Sequence, residues 1–271
     1  MAGTTLGPPD GEITSVQDFL GLNLAEKAWF RGQSDGSKYP LPAVLRTDVA
    51  QAIDRTNDRT WPTSGDQNML SEFWRRGSRM LPAPEDPVDV YFQAQHHGLP
   101  TLLLDWTTDP LAALYFAVRE PRSGVDGGLF VLNPVYRFAG GTGGPPPDSI
   151  PIVGPVSEEH FVPTAWIKLA GRRWKELPDR LPRLVASIAV WPRLRDGRMS
   201  QQGSCFTLHP PAFHQRDEFS HYPAGKLAHF RIPSDSKYAI KRQLRHLGIT
   251  ETRLFPDLDH LVADLLEEFL G

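Results

Sequence analysis

The sequence predicts a single α+β domain with a mixed or antiparallel central sheet flanked by helices. Three observations carry that expectation. Short apolar runs of strand length, bounded by Gly and Pro, recur along the chain: Ala28 to Arg31, Leu102 to Trp106, Gly127 to Asn133, Val185 to Trp191, Gln202 to Leu208 and Leu227 to Ile232. Amphipathic segments of helical length lie between and after them. No internal repeat and no clear linker divides the 271 residues, a length that can bury a full core.

Met1 to Gly11 is small and rich in Pro and Gly and reads as a mobile lead-in, with the domain proper starting at residue 13. Thr14 and Ser15 ahead of Val16-Gln17-Asp18-Phe19-Leu20 predict a capped short helix. The strand Ala28 to Arg31 is expected to end at Gly32. Val49 to Asn57 and Asp66 to Arg79 read as helices, broken apart by Trp61-Pro62 and Gly65, with Met69, Phe73 and Trp74 on one face of the second. Val88 to His96 is helical, with Val90, Tyr91 and Ala94 on one side. Pro110 to Arg119 has Pro110 in its first turn, where the missing N–H costs nothing. Phe138 to Pro151 reads as a loop. Its glycine pairs are followed by neither Lys-Ser/Thr nor a helix start, so it is no phosphate cradle. Trp166 to Leu177 is a further helix, Ser236 to Leu247 is a helix stopped by Gly248, and Leu258 to Leu270 is a last amphipathic helix.

Composition narrows the classes. Charged residues are 23% and hydrophobic residues 40%, the balance of a soluble globular protein. A net charge of −3 gives no global basic field for nucleic acid. The local clusters Arg75-Arg76, Arg172-Arg173 with Lys175, and Lys241-Arg242 with Arg245 read as solvated helix faces. One cysteine, Cys205 in an apolar run, excludes an internal disulfide and reads as a buried thiol. Met1 to Gly7 lacks the features of a signal peptide, and no run reaches the roughly 20 apolar residues of a membrane span. The expected location is cytoplasmic.

The stretch Gln95-His96-His97-Gly98-Leu99-Pro100-Thr101, continuing to Asp105-Trp106-Thr107-Thr108-Asp109-Pro110, has the grammar of loop, buried strand, polar strand end and helix. Polar groups at such a junction either line a ligand crevice or cap the helix. Ala28-Trp29-Phe30-Arg31-Gly32-Gln33-Ser34 is a second apolar run with a polar end. Together these resemble the FRG domain family, named for Phe-Arg-Gly, which also carries the Gln-His-x-Gly-Leu-Pro-Thr and Leu-Asp-Trp-Thr block. Further matching pieces are Gln202-Gly203-Ser204-Cys205-Phe206-Thr207-Leu208-His209 and the tail from Gly248 to Asp259. One departure is Leu102, where the family usually has Arg.

The order of polar strand ends is also similar, more distantly, to the ADP-ribosyltransferase fold. There an Arg or His on the first strand, a Ser-Thr-Ser-like element before a helix and a late Gln-x-Glu or Glu-x-Glu bind and cleave NAD. That likeness implies an NAD-dependent ADP-ribosyltransferase, with NAD as substrate and no metal. Its cofactor-binding set is Arg31, Gly32, Gln33, Asp105, Thr107, Thr108 and Tyr115. The late element here, Ser200 to Ser204, has no Glu. Three replacements are open: Gln202 orients the ribose, His96 or His97 supplies the base with Asp105 as its orienter, or Glu218 reaches in from a following loop. Adjacent histidines cannot both face one crevice from regular structure, and no third ligand at a recognisable spacing makes them a metal site. Arg31 has an alternative role as a structural partner of Asp105. Trp29 and Trp106 are expected to fill the core. The acceptor is expected to be a macromolecule, with a nucleic-acid base, single-stranded, favoured over protein. The FRG resemblance points to a bacterial toxin or phage-defence setting, with a neutralising antitoxin or hydrolase as a partner and no membrane. The rival classes are a non-catalytic nucleotide-binding module and an NAD hydrolase. On the transferase reading, Arg31, one of the two histidines, Asp105, Thr107 and Gln202 should line a single crevice.

Overall fold

The computed structural model describes residues 6–46, 65–81, 87–121, 124–136, 151–153, 187–192, 197–209, 222 and 227–270. Among these residues the architecture is mixed α/β around a nine-stranded mixed sheet. The strands are β1 (Gly11–Glu12), β2 (Trp29–Gln33), β3 (Leu103–Thr107), β4 (Gly127–Leu132), β5 (Val135–Tyr136), β6 (Pro151–Val153), β7 (Ile188–Val190), β8 (Ser204–Leu208) and β9 (Leu227–Ile232). Their spatial order is β1-β9-β4-β2-β3-β8-β7-β6-β5. Pairing is antiparallel from β9 across to β7 and parallel at the margins, for β1 with β9, β5 with β6 and β6 with β7.

The helices are α1 (Val16–Leu20), α2 (Gly65–Gly77), α3 (Pro87–His96), α4 (Pro110–Val118), α5 (Gly197–Gln201), α6 (Lys237–His246), α7 (Glu251–Leu254) and α8 (Leu258–Leu270), with one 3-10 turn at Ala43–Leu45. Ser15 caps α1 by accepting from Asp18 N at 3.1 Å. Asp109 caps α4 at Leu111 N and Ala112 N, 2.9 and 3.1 Å, and Pro110 fills the first turn as the sequence predicts.

Strand alternation divides the core. Phe30, Leu129 and Val131 face α4 and α6 in one cluster that also takes in α1 and α7. On the same side of the sheet, Leu103, Phe206, Leu208 and Val190 pack with Phe92 of α3 and with Val44 and Leu45. Trp29, Leu104, Trp106, Phe130, Leu132 and Cys205 fill the opposite face. Trp29 and Trp106 are thus core residues, and burial drives the Cys205 thiol well above its ordinary range.

Several expectations are corrected. The first long strand does not stop at Gly32. It runs to Gln33, because β4 offers partners to all five of its residues. The strand expected from Gln202 begins only at Ser204, after a turn in which Gly203 has φ +55°. Of the N-terminal stretch expected to be mobile, Gly11 pairs with β9 as part of β1. Trp74 is exposed, so of the three residues expected on one face of α2 only Met69 and Phe73 are partly buried. Phe92, which the periodicity passed over, is buried. The predicted helices Val49 to Asn57 and Trp166 to Leu177, and residues 138–150 of the predicted loop, lie outside the described residues. No helix of the described residues is long and apolar enough to cross a membrane.

Candidate functional site

The central feature is a split in the sheet. β3 makes five residue pairings with β8 and β2 makes five with β4, yet β2 and β3 share only Phe30 with Thr107. Beyond that pair the two strands part, and the main-chain oxygen of Asp105 has no β2 partner. The Arg31 side chain reaches it instead, Nη1 donating to Asp105 O at 2.7 Å. Its Nε donates to Gln33 Oε1 at 3.1 Å, and Gln33 Nε2 donates in turn to Lys38 O at 2.8 Å. Burial draws the Arg31 guanidinium below its usual pKa, and the nearby Asp105 charge works against that. Arg31 forms no ion pair with a carboxylate among the described residues, so its charge is met by a carbonyl and an amide rather than neutralised.

Asp105 enters the split from the other side. Its carboxylate points to the α3 face, where Oδ2 accepts from Gln95 Nε2 at 2.8 Å. Gln95 Oε1 accepts from Thr101 Oγ1 at 2.5 Å, and that same Oγ1 accepts from Leu103 N at 3.1 Å. The triplet Gln95, Thr101 and Asp105 is therefore one hydrogen-bonded unit that aims an exposed carboxylate. Sequence inspection gave Gln95 and Thr101 no role. Their spacing in one motif was the available signal. His96 ends α3 and His97 follows it, exposed, with the two rings 5.3 Å apart at 83°.

The residues expected to bind NAD and those expected to line its crevice fall into three groups, and Arg31 and the Gln202 side chain do not share a crevice. Arg31, Gln33 and Asp105 meet at the split. Thr107, Thr108 and Gln202 form a separate clasp at the strand ends. Thr107 Oγ1 donates to Gln202 O at 2.5 Å and accepts from Asp109 N at 2.8 Å, and Thr108 N donates to Gly203 O at 3.0 Å. The side chain of Gln202 is turned to α7, where Nε2 donates to Leu254 O at 2.8 Å. The third group is Tyr115, which is buried on α4 and bonded to the Glu251 carboxylate. Arg119 Nη2 meets the other oxygen of that carboxylate at 2.5 Å. Desolvation first, then Glu251, pushes the Tyr115 hydroxyl far above its ordinary range. Gly32 is used by packing: a Cβ there would lie 1.9 Å from Ala113 O. Glu218 lies outside the described residues.

A buried polar chain supports the Arg31 side of the split. Trp106 Nε1 donates to Thr207 Oγ1 at 2.9 Å. Thr207 Oγ1 lies 2.8 Å from His209 Nε2, and His209 Nδ1 lies 2.9 Å from Ser187 Oγ. Thr207, His209 and Ser187 are fully buried. Thr207→Val keeps the shape but strips partners from Trp106 and His209. It should cost about 1–3 kcal/mol, read as a lowered denaturant midpoint at unchanged slope.

Among the described residues no group of three or more His, Cys, Asp or Glu is placed to hold a metal. A family model described as FRG domain matches residues 26–125, a segment that contains β2, α3, β3 and α4, hence Arg31, Gln95 and Asp105 but not Gln202. No curated protein and no solved structure matches the chain.

Proposed function

We propose that the FRG domain carried by this chain binds NAD at the split between β2 and β3 and transfers its ADP-ribose to a macromolecular acceptor, a nucleic-acid base in preference to protein. The observation that carries the binding step is Arg31. Only two of the five N–H groups of its guanidinium are engaged among the described residues, and no carboxylate there neutralises it. A partly dehydrated guanidinium that stands outside any ion pair suits a pyrophosphate oxygen. Asp105, held by Gln95, suits a ribose hydroxyl or the positive charge that develops on the ribose as the nicotinamide bond opens.

A second reading has its own observation. The Gln202 amide and the Thr107 hydroxyl are spent within the protein, so the late element of the transferase pattern is not presented to a ligand. That favours a nucleotide-binding module without turnover. The deciding experiment incubates the full chain with NAD labelled on the adenylate, together with DNA, RNA or protein, and follows both the label and free nicotinamide. Label on a polymer supports transfer and identifies the acceptor. Nicotinamide release without a labelled polymer means hydrolysis. Binding without release means a module. A toxin or phage-defence role rests on the family resemblance, and a neutralising partner would follow from it.

The base is separable by pH. A neutral imidazole base gives activity that rises with pH through about 6.5. A carboxylate base gives a rise near about 4–5, or higher if desolvated. Of His96→Ala, His97→Ala and Glu218→Gln, one histidine variant is expected to lose most activity and the Glu218 variant less. The reverse ranking, measured with the fold checked by circular dichroism, would sink the histidine assignment.

A further inference from the structure

The last helix is inside out. In α8 the polar side faces the protein: Lys241 Nζ holds Glu267 at 2.9 Å, Arg245 Nη2 holds Glu268 at 3.1 Å, and the Asp264 carboxylate accepts from Glu251 N and Thr252 N at 3.2 and 2.7 Å. The apolar side faces outward. Leu258, Leu261, Val262, Leu265, Leu266, Phe269 and Leu270 are 38–80% exposed, and α8 buries no residue. Leu258, Val262, Leu265 and Phe269 follow one another at spacings of four, three and four, the seam that one helix offers another.

The geometry points to a second copy of this chain as the occupant of that seam, in an isologous helix pair. Charge decides between occupants. α8 carries no Lys or Arg, whereas helices that lie on anionic membranes are rich in them on the polar face. Of its four acids, Asp264, Glu267 and Glu268 are engaged by the chain's own groups, which leaves Asp259, exposed in the first turn, as the one acid outside those contacts and little negative field to recruit a basic peptide. What remains is an apolar stripe with one exposed acid, Asp259, near its start, and in an antiparallel pair the two copies of Asp259 lie at opposite ends and do not meet. A two-fold axis across the middle of the helix runs the copies antiparallel, opposing their dipoles and setting Leu258 of one against Phe269 of the other. α8 is about 20 Å long, so the paired stripes fall at or below the small end of stable interfaces, which is about 1,200 Å² in total. The expected dimer is accordingly weak and concentration-dependent.

Sedimentation velocity on the full chain over a wide concentration range tests this. The wild type should pass from monomer to dimer mass as concentration rises. Leu265→Lys and Val262→Lys should stay monomeric throughout, with unchanged circular dichroism, because both positions are exposed. A wild type that stays monomeric overturns the proposal, and lipid-vesicle binding by such a monomer would assign the stripe to a membrane instead. Dimers formed equally well by both lysine variants also overturn it.

Discussion

Gly32→Ala should leave little folded protein. β2 and α4 approach so closely at this position that an added Cβ would sit 1.9 Å from Ala113 O and 2.5 Å from Ala117 N, both helix backbone that cannot swing aside. Relief requires α4 to move off the sheet, and α4 is buried at Ala112, Ala113, Leu114, Ala117 and Val118. Separating these surfaces opens voids along the largest apolar cluster, so a loss of more than about 4 kcal/mol is expected, the range reserved for core disruption. Gly7→Ala is the matched control, since nothing lies within 4 Å of a Cβ there. Thermal melts of the two variants against the wild type decide the matter. A Gly32→Ala protein that melts within a few degrees of the wild type would show that the close approach is not required. The glycine of the Phe-Arg-Gly motif thereby acquires a role different from ligand contact. It lets α4 lie flat on β2, while Arg31 next to it emerges on the opposite face.

Period-2 and helical patterns were legible wherever burial was one-sided. Leu227–Ile232 and Leu258–Leu270 fall at their expected limits, and Pro110 and Asp109 start α4 as the capping signals require. Strand ends were less legible because they depend on partners: β2 runs on to Gln33 through contact with β4, which no local signal announces. The outward stripe of α8 was legible as amphipathic but not as inverted. The inversion depends on Lys241 and Arg245, far away in sequence, capturing its acids. At the site, Arg31 and Asp105 were found from their motif, and the structure joins them through a main-chain oxygen rather than a carboxylate. Gln202 was placed with them by strand order alone. Order along the sheet does not say which face a side chain takes: alternation along β3 carries the Thr107 side chain, like the Asp105 carboxylate, to the face opposite Arg31, and Gln202 lies in the turn before β8 with its amide directed to α7. The Thr207–His209–Ser187 chain was invisible because its members meet only once the sheet is assembled.

Arg31→Ala should abolish most NAD affinity while leaving the fold intact. The fold survives because Arg31 contributes two hydrogen bonds at a parted strand edge, where water can replace it at Asp105 O. Affinity falls because a charge-assisted bond to phosphate is worth about 1.5–3 kcal/mol, roughly ten- to a hundredfold in Kd. Arg31→Lys separates charge from shape. It keeps the cation but loses the planar fork that spans Gln33, Asp105 O and a ligand oxygen at once, so its affinity should fall between wild type and Ala. Asp105→Asn should weaken binding less than Arg31→Ala and depress turnover more, if Asp105 faces the ribose and not the phosphates. Calorimetry gives the affinities, and nicotinamide release gives the rates. A wild type that binds no NAD at all would remove the basis for the transferase and for the NAD hydrolase alike. Binding that survives Arg31→Ala unchanged would place the dinucleotide away from the split between β2 and β3.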